Sequence, residues 1–150
     1  MGKGEKSMKV KKLRKNAKMP YKATAGSAGY DLFACIDTPK VINPGKIVMI
    51  PTGLAIQLEE ERCGGFIFAR SSLGAKHGIV PANCVGVIDS DYRGEVMVAL
   101  TNLADAPYTV NPNDRIAQLV IMAVGQPVIT EVEELDSTDR GEGGFGSTQR

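Results

Sequence analysis

The chain has 150 residues, 43% of them hydrophobic, which is enough to bury the core of one domain and too apolar for global disorder. Its 18 Lys and Arg nearly balance 17 Asp and Glu, for a formal charge of +1, so no single charge sign dominates the molecule. A single histidine, His77, excludes a His-rich metal site and leaves any Ser-His or Cys-His triad resting on one residue. Chemistry must then come from carboxylates, arginines, hydroxyls and backbone groups.

Residues 1–18 hold eight Lys or Arg and one Glu, without the apolar stretch of a signal peptide. Residues 1–7 are expected to be loose. Lys9, Lys11 and Lys12 surround Val10 and Leu13 as solvated flanks of a first strand. No aromatic interleaves with them to stack on bases, so stable nucleic-acid binding is not expected. Short apolar and β-branched runs follow at 46–50, 54–58, 65–68, 85–88, 96–101 and 116–124. Turn signals separate them at Asn43-Pro44-Gly45, Pro51-Thr52-Gly53, Cys63-Gly64-Gly65 and Asn111-Pro112-Asn113-Asp114. Leu54, Ile56 and Leu58 alternate with Ala55 and Gln57, as in a strand with one apolar face. Only 71–77 suggests a short helix. The pattern predicts an all-β domain over 8–134 and a tail at 135–150. No run reaches the ~18 apolar residues of a membrane span. Cys35, Cys63 and Cys84 are widely spaced with no C-x-x-C, which favours a reducing, cytoplasmic compartment over a disulfide framework.

The runs 96–100 and 119–124 are apolar on both faces. Such strands either sit centrally in a monomer or present a face to another subunit.

Polar groups interrupt the apolar pattern in four places. Asp31 lies within the strand-like run 28–34, where burial requires a partner; a salt bridge to an arginine is favoured over metal ligation. Arg70, Ser71 and Ser72 follow a strand and open the short helix, an arrangement suited to phosphate, although Ser-Ser is also an ordinary N-cap. The third segment runs from Asn83 to Gly94. Here 85–88 and the run from Glu95 are expected to pair as a hairpin around Ser90-Asp91. Asn83 offers paired donor and acceptor groups to a base edge, Tyr92 a surface for a sugar, and Asp89 a carboxylate that burial could hold as a base. An Asp-rich turn with no further role has the same spacing. In the fourth, Arg115 and Gln118 point to opposite faces of an extended strand, so one could serve Asp31 and the other a ligand.

The last eleven residues contain four glycines, one aromatic ring, Arg140, Ser147 and Thr148. Such a segment is too flexible to fold alone, yet it carries a stacking ring and phosphate donors. It reads as a flap over a nucleotide, against the alternative of a plain disordered terminus.

Taken in order, the four segments and the glycine-rich tail resemble the five motifs of the trimeric deoxyuridine triphosphatase (dUTPase) family, from about Lys9 to Arg150. The resemblance implies an all-β, jelly-roll-like barrel of the β-clip type, assembled as a homotrimer with each active site shared by three subunits. It implies hydrolysis of dUTP to dUMP and pyrophosphate with Mg²⁺ on the triphosphate, which limits uracil in DNA and supplies dUMP for thymidylate synthesis. By motif position, Asp89 is the base that activates water. Asn83 and the backbone of Gly86, Val87 and Ile88 read uracil, and Tyr92 packs on the deoxyribose with Met97 nearby. Arg70, Ser71, Ser72 and Gln118 contact phosphates, with Ser71 near the α–β bridging oxygen. Phe145 stacks on uracil, while Arg140, Gly146, Ser147 and Thr148 hold the γ-phosphate. Asp31 and Arg115 are structural. The metal is held by phosphate oxygens and water rather than by side chains. Ser72 and Ala69 replace the Gly and Pro of many relatives, which bears on the geometry of the phosphate loop. A dCTP deaminase of the same fold would need a glutamate near Ala99, and a nucleotide-sensing trimer without turnover would not need Asp89.

Overall fold

The computed structural model describes residues 7–58 and 62–144. Within them, turn residues cut the chain into eleven strands and one helix: β1 (Met8–Lys12), β2 (Tyr30–Phe33), β3 (Lys40–Ile42), β4 (Ile47–Pro51), β5 (Leu54–Leu58), β6 (Cys63–Phe68), α1 (Ser71–His77), β7 (Ile79–Pro81), β8 (Gly86–Ile88), β9 (Met97–Asn102), β10 (Tyr108–Val110) and β11 (Arg115–Ala123). Gly45 and Gly53 both take φ of +68°, the left-handed conformation that their turns require. Cys63-Gly64-Gly65 is no turn; it begins β6. Packing there is tight, since a Cβ on Gly65 would stand 3.2 Å from Leu119 and 3.3 Å from Ile88.

All strand pairs are antiparallel and form four ladders, ordered β1-β5, β10-β3, β2-β11-β6-β8 and β4-β9-β7. The chain is nearly all-β with one short helix, as expected, and among the described residues the ladders do not close into a ring. The expected hairpin between 85–88 and the run from Glu95 does not form. β8 pairs with β6, and β9 lies between β4 and β7 in a different sheet. The gap between those sheets opens the site described below.

One apolar core joins the ladders: Ile42, Ile50, Leu58, Leu100, Val110, Ile116 and Leu119 all belong to it. Each such side chain contributes about 1.5–3 kcal/mol by leaving water. Asn102 is fully buried yet satisfied, donating to Ile42 O at 2.9 Å and Ala106 O at 2.8 Å and accepting from Ala104 N–H. Residues 125–142 are exposed, with Val128, Ile129 and Leu135 each about 90% accessible.

Candidate active site

Two clusters contain the residues singled out in the sequence. The first surrounds Asp31, whose side chain is 14% exposed. Its Oδ1 accepts from Arg70 Nε at 2.9 Å and its Oδ2 from Arg115 Nη1 at 3.1 Å; Arg70 Nη1 also donates to Arg115 O at 3.3 Å. Asp31 therefore aligns two guanidinium groups through separate carboxylate oxygens. Arg115 and Gln118 do not face opposite ways. The β11–β2 register shifts between Arg115 and Ala117, and consecutive Ile116 and Ala117 are both buried. This bulge turns Arg115 toward Asp31, on the side of Gln118, which pairs directly opposite Asp31. Gln118 Nε2 donates to Ala69 O at 2.9 Å and so tethers the segment leading into α1.

Arg70 is the extended N-cap of α1, with no side-chain cap. Ser71 and Ser72 are exposed on its first turn, whose N–H groups precede the first helical bond, Gly74 N to Arg70 O at 2.9 Å. Two guanidinium groups, two hydroxyls and free N–H groups thus share one end of β6. Such a set binds anions.

The second cluster is a pocket of about 200 Å³ between β8 and the start of β9. Asn83, Gly86, Val87, Ile88, Asp89, Tyr92 and Met97 all line it. Cys84, at φ of +64°, turns the chain so that Asn83 stands exposed at the approach to β8. Asp89 is exposed in the single chain, not buried as the sequence suggested, because the missing hairpin leaves its flank open. Its carbonyl accepts from Tyr92 N–H at 3.1 Å. Ile67, Glu95 and Val96 also line the pocket and were missed. An acid wedged between Gly94 and an apolar strand was the available signal for Glu95.

The pocket lining includes no cation, and the arginines lie elsewhere. Gly86 pairs with Ile67 and Ile88 with Gly65, so β8 carries Asp89 toward the start of β6, while Arg70 follows its end. At ~3.3 Å per residue, Asp89 and Arg70 are roughly 20 Å apart along the strand, although the pocket itself reaches Ile67. Asp89 and Ser71 therefore lie toward opposite ends of β6 within one copy. Arg140 lies in the exposed tail and donates from Nε to Gly143 O at 2.9 Å. Phe145, Gly146, Ser147 and Thr148 lie outside the described residues. No three His, Cys, Asp or Glu side chains among the described residues group as a metal site.

An all-β chain with a cluster of guanidinium and hydroxyl groups and a separate small pocket has the features of a nucleotide-binding protein. It belongs to the dUTPase family, whose model matches residues 15–149. It is 52% identical over 138 residues to the deoxyuridine 5'-triphosphate nucleotidohydrolase of Hydrogenovibrio crunogenus, covering 91% of this chain and 90% of that one. It resembles the dUTPase of Staphylococcus bacteriophage 80alpha solved with dUPNHPP, with a TM-score of 0.86, 30% identity and coverage of 95% and 98% of the two chains. A mutant dUTPase from phage phi11 of S. aureus, solved with a structural Mg(II) ion, matches with a TM-score of 0.78 and 27% identity over 87% of this chain and 99% of that one.

Proposed function

We propose that the chain hydrolyses dUTP to dUMP and pyrophosphate at sites built between the subunits of a homotrimer. The observation that carries this reading is the convergence of Asn83, Gly86, Val87, Ile88, Asp89, Tyr92 and Met97 on one pocket that lacks cations. Its 200 Å³ falls below the ~300–1,000 Å³ of typical ligand pockets, so it suits a base and sugar and leaves the triphosphate outside. There a second copy presents Arg70, Ser71, Ser72 and Gln118, and a third lays the tail with Arg140, Phe145, Gly146, Ser147 and Thr148 across both. Exposed Ile47, Met49 and Met97 at the β4–β9 face support burial against other copies.

In this arrangement Asp89 takes a proton from a water molecule as its oxygen attacks the α-phosphorus. The bond from that phosphorus to the α–β bridging oxygen breaks, and pyrophosphate leaves with the electron pair. The Ser71 hydroxyl and Arg70 meet the charge that develops there. Mg²⁺, when bound, would supply charge neutralisation to the triphosphate. The donor set fits an ion carried by phosphate oxygens and water, because Asp31 already spends both oxygens on arginines. Backbone groups of β8 and Asn83 read the uracil edge; Tyr92 closes the sugar side. Deamination is not favoured, since Ala99, in β9, cannot hold or move a proton.

Three free thiols fit a reducing, cytoplasmic setting, and no described helix is long and apolar enough to cross a membrane. A pyrophosphate-release assay on dUTP, dTTP, dCTP and UTP, with and without Mg²⁺, tests the proposal. It expects Mg²⁺-dependent release from dUTP alone; ammonia from dCTP, or dUTP turnover no faster than buffer, would overturn it.

A further inference from the structure

Resting on the reading of Tyr92 as the sugar-facing side chain, we propose that Glu95 is a positioning residue that fixes the depth of the sugar site. The Tyr92 ring folds back over its own loop. Its hydroxyl donates to Glu95 O at 3.0 Å. A Cβ on Gly94 would stand 2.3 Å from the phenol oxygen and 2.5 Å from Cζ, so in this arrangement the ring is packed directly against the bare glycine. The ring thus rests on two supports, a bare glycine and one backbone carbonyl.

The Glu95 side chain sets the position of that carbonyl. Its Oε1 accepts from Gly53 N–H at 2.9 Å, and its Oε2 lies 3.2 Å from Arg14 Nη2. Gly53 is closely packed: its φ is +68°, and Cys35 and Ala17 fill the space beside its Cα. The next residue is anchored to the same turn. Val96 N–H donates to Leu54 O at 2.7 Å, and Val96 O accepts from the buried Thr52 hydroxyl at 2.7 Å. The 95–96 backbone is therefore stitched to the β4–β5 turn, and the ring height follows from that stitch. The Arg14 side chain is 46% exposed, so solvent weakens its pair with Glu95. The Gly53 bond is the stronger anchor. Small displacements of a steric wall change which sugars fit, so a loosened Glu95 admits a 2′-hydroxyl.

The test compares kcat/KM for dUTP and UTP, together with the melting temperature, in the wild type and in Glu95→Gln, Glu95→Ala and Tyr92→Phe. Gln keeps an acceptor for Gly53 N–H and should hold the dUTP-over-UTP preference within about twofold of wild type. Glu95→Ala and Tyr92→Phe should each lower that preference about tenfold, mainly through KM. A lowered melting temperature with the preference intact in Glu95→Ala would overturn the proposal. An unchanged preference in Tyr92→Phe would do the same, even if Glu95→Ala fails to fold. A wild type that ignores dUTP, or turns over UTP equally well, would instead sink the functional reading beneath it.

Discussion

Asp31 holds Arg70 at 2.9 Å and Arg115 at 3.1 Å through separate carboxylate oxygens. Its replacement by alanine leaves two cations facing each other without their counter-charge. Because Arg115 is partly exposed, water recovers some of that loss, and a cost of about 2 kcal/mol in denaturant unfolding is expected. Turnover should fall with it, since Arg70 loses its orientation; stability within experimental error of wild type would show that the arginines need no organiser. Asp89 differs because it supports no packing and is exposed. Asp89→Asn should bind a non-hydrolysable dUTP analogue normally while turnover drops at least ~10²-fold. Near-normal turnover would exclude it as the base.

At the scale of elements, the alternation in 54–58 and the helical stretch 71–77 coincide with β5 and α1. Strands β3, β7 and β10 have three residues each, too few to show any periodicity, and were missed. The bulge in β11 was equally hidden, because one inserted residue reverses facing without altering composition. The lining residues Asn83 to Tyr92 were legible as chemistry, but the partner of β8 was not, since partner choice depends on tertiary packing. Burial also leaves a mark on titration. It raises the Cys35 thiol and the Tyr108 phenol above their ordinary 9.0 and 10.0; Arg14 opposes this at Cys35, while Asp114 reinforces it at Tyr108. The folded chain holds these protons more tightly than the unfolded one. Their contribution is complete below the unfolded values and is lost as pH rises through the folded ones. Melting temperature should accordingly fall once pH passes 9.0, and a rise above that point would contradict the assignment. In thiol titration the exposed Cys84 should react in the native protein and the buried Cys35 only on unfolding.

For the whole molecule, the separation of Asp89 from Arg70 along β6 has the widest consequence. A single copy carries every internal motif, with Asp89 and Arg70 toward opposite ends of β6, and the proposed function joins them across subunits. The apolar runs read from the sequence as possible subunit contacts correspond in part to Met97 and Met122, both exposed in the single chain. The tail was read as starting at 135, and residues 125–142 are exposed in the single chain. Sequence order cannot show where a segment leaves a sheet when apolar residues such as Val128 and Ile129 continue past it. Truncation before Arg140 should leave a folded trimer by sedimentation velocity, with almost no turnover; full activity would refute the flap.

The most direct measurement mixes two inactive variants, Asp89→Asn and Ser71→Ala, by joint unfolding and refolding. If each site takes its carboxylate from one subunit and its hydroxyl from another, the mixture recovers about a quarter of wild-type activity, because both contributions must come from unmutated positions. Recovery no greater than the average of the two separate variants would contradict a shared site.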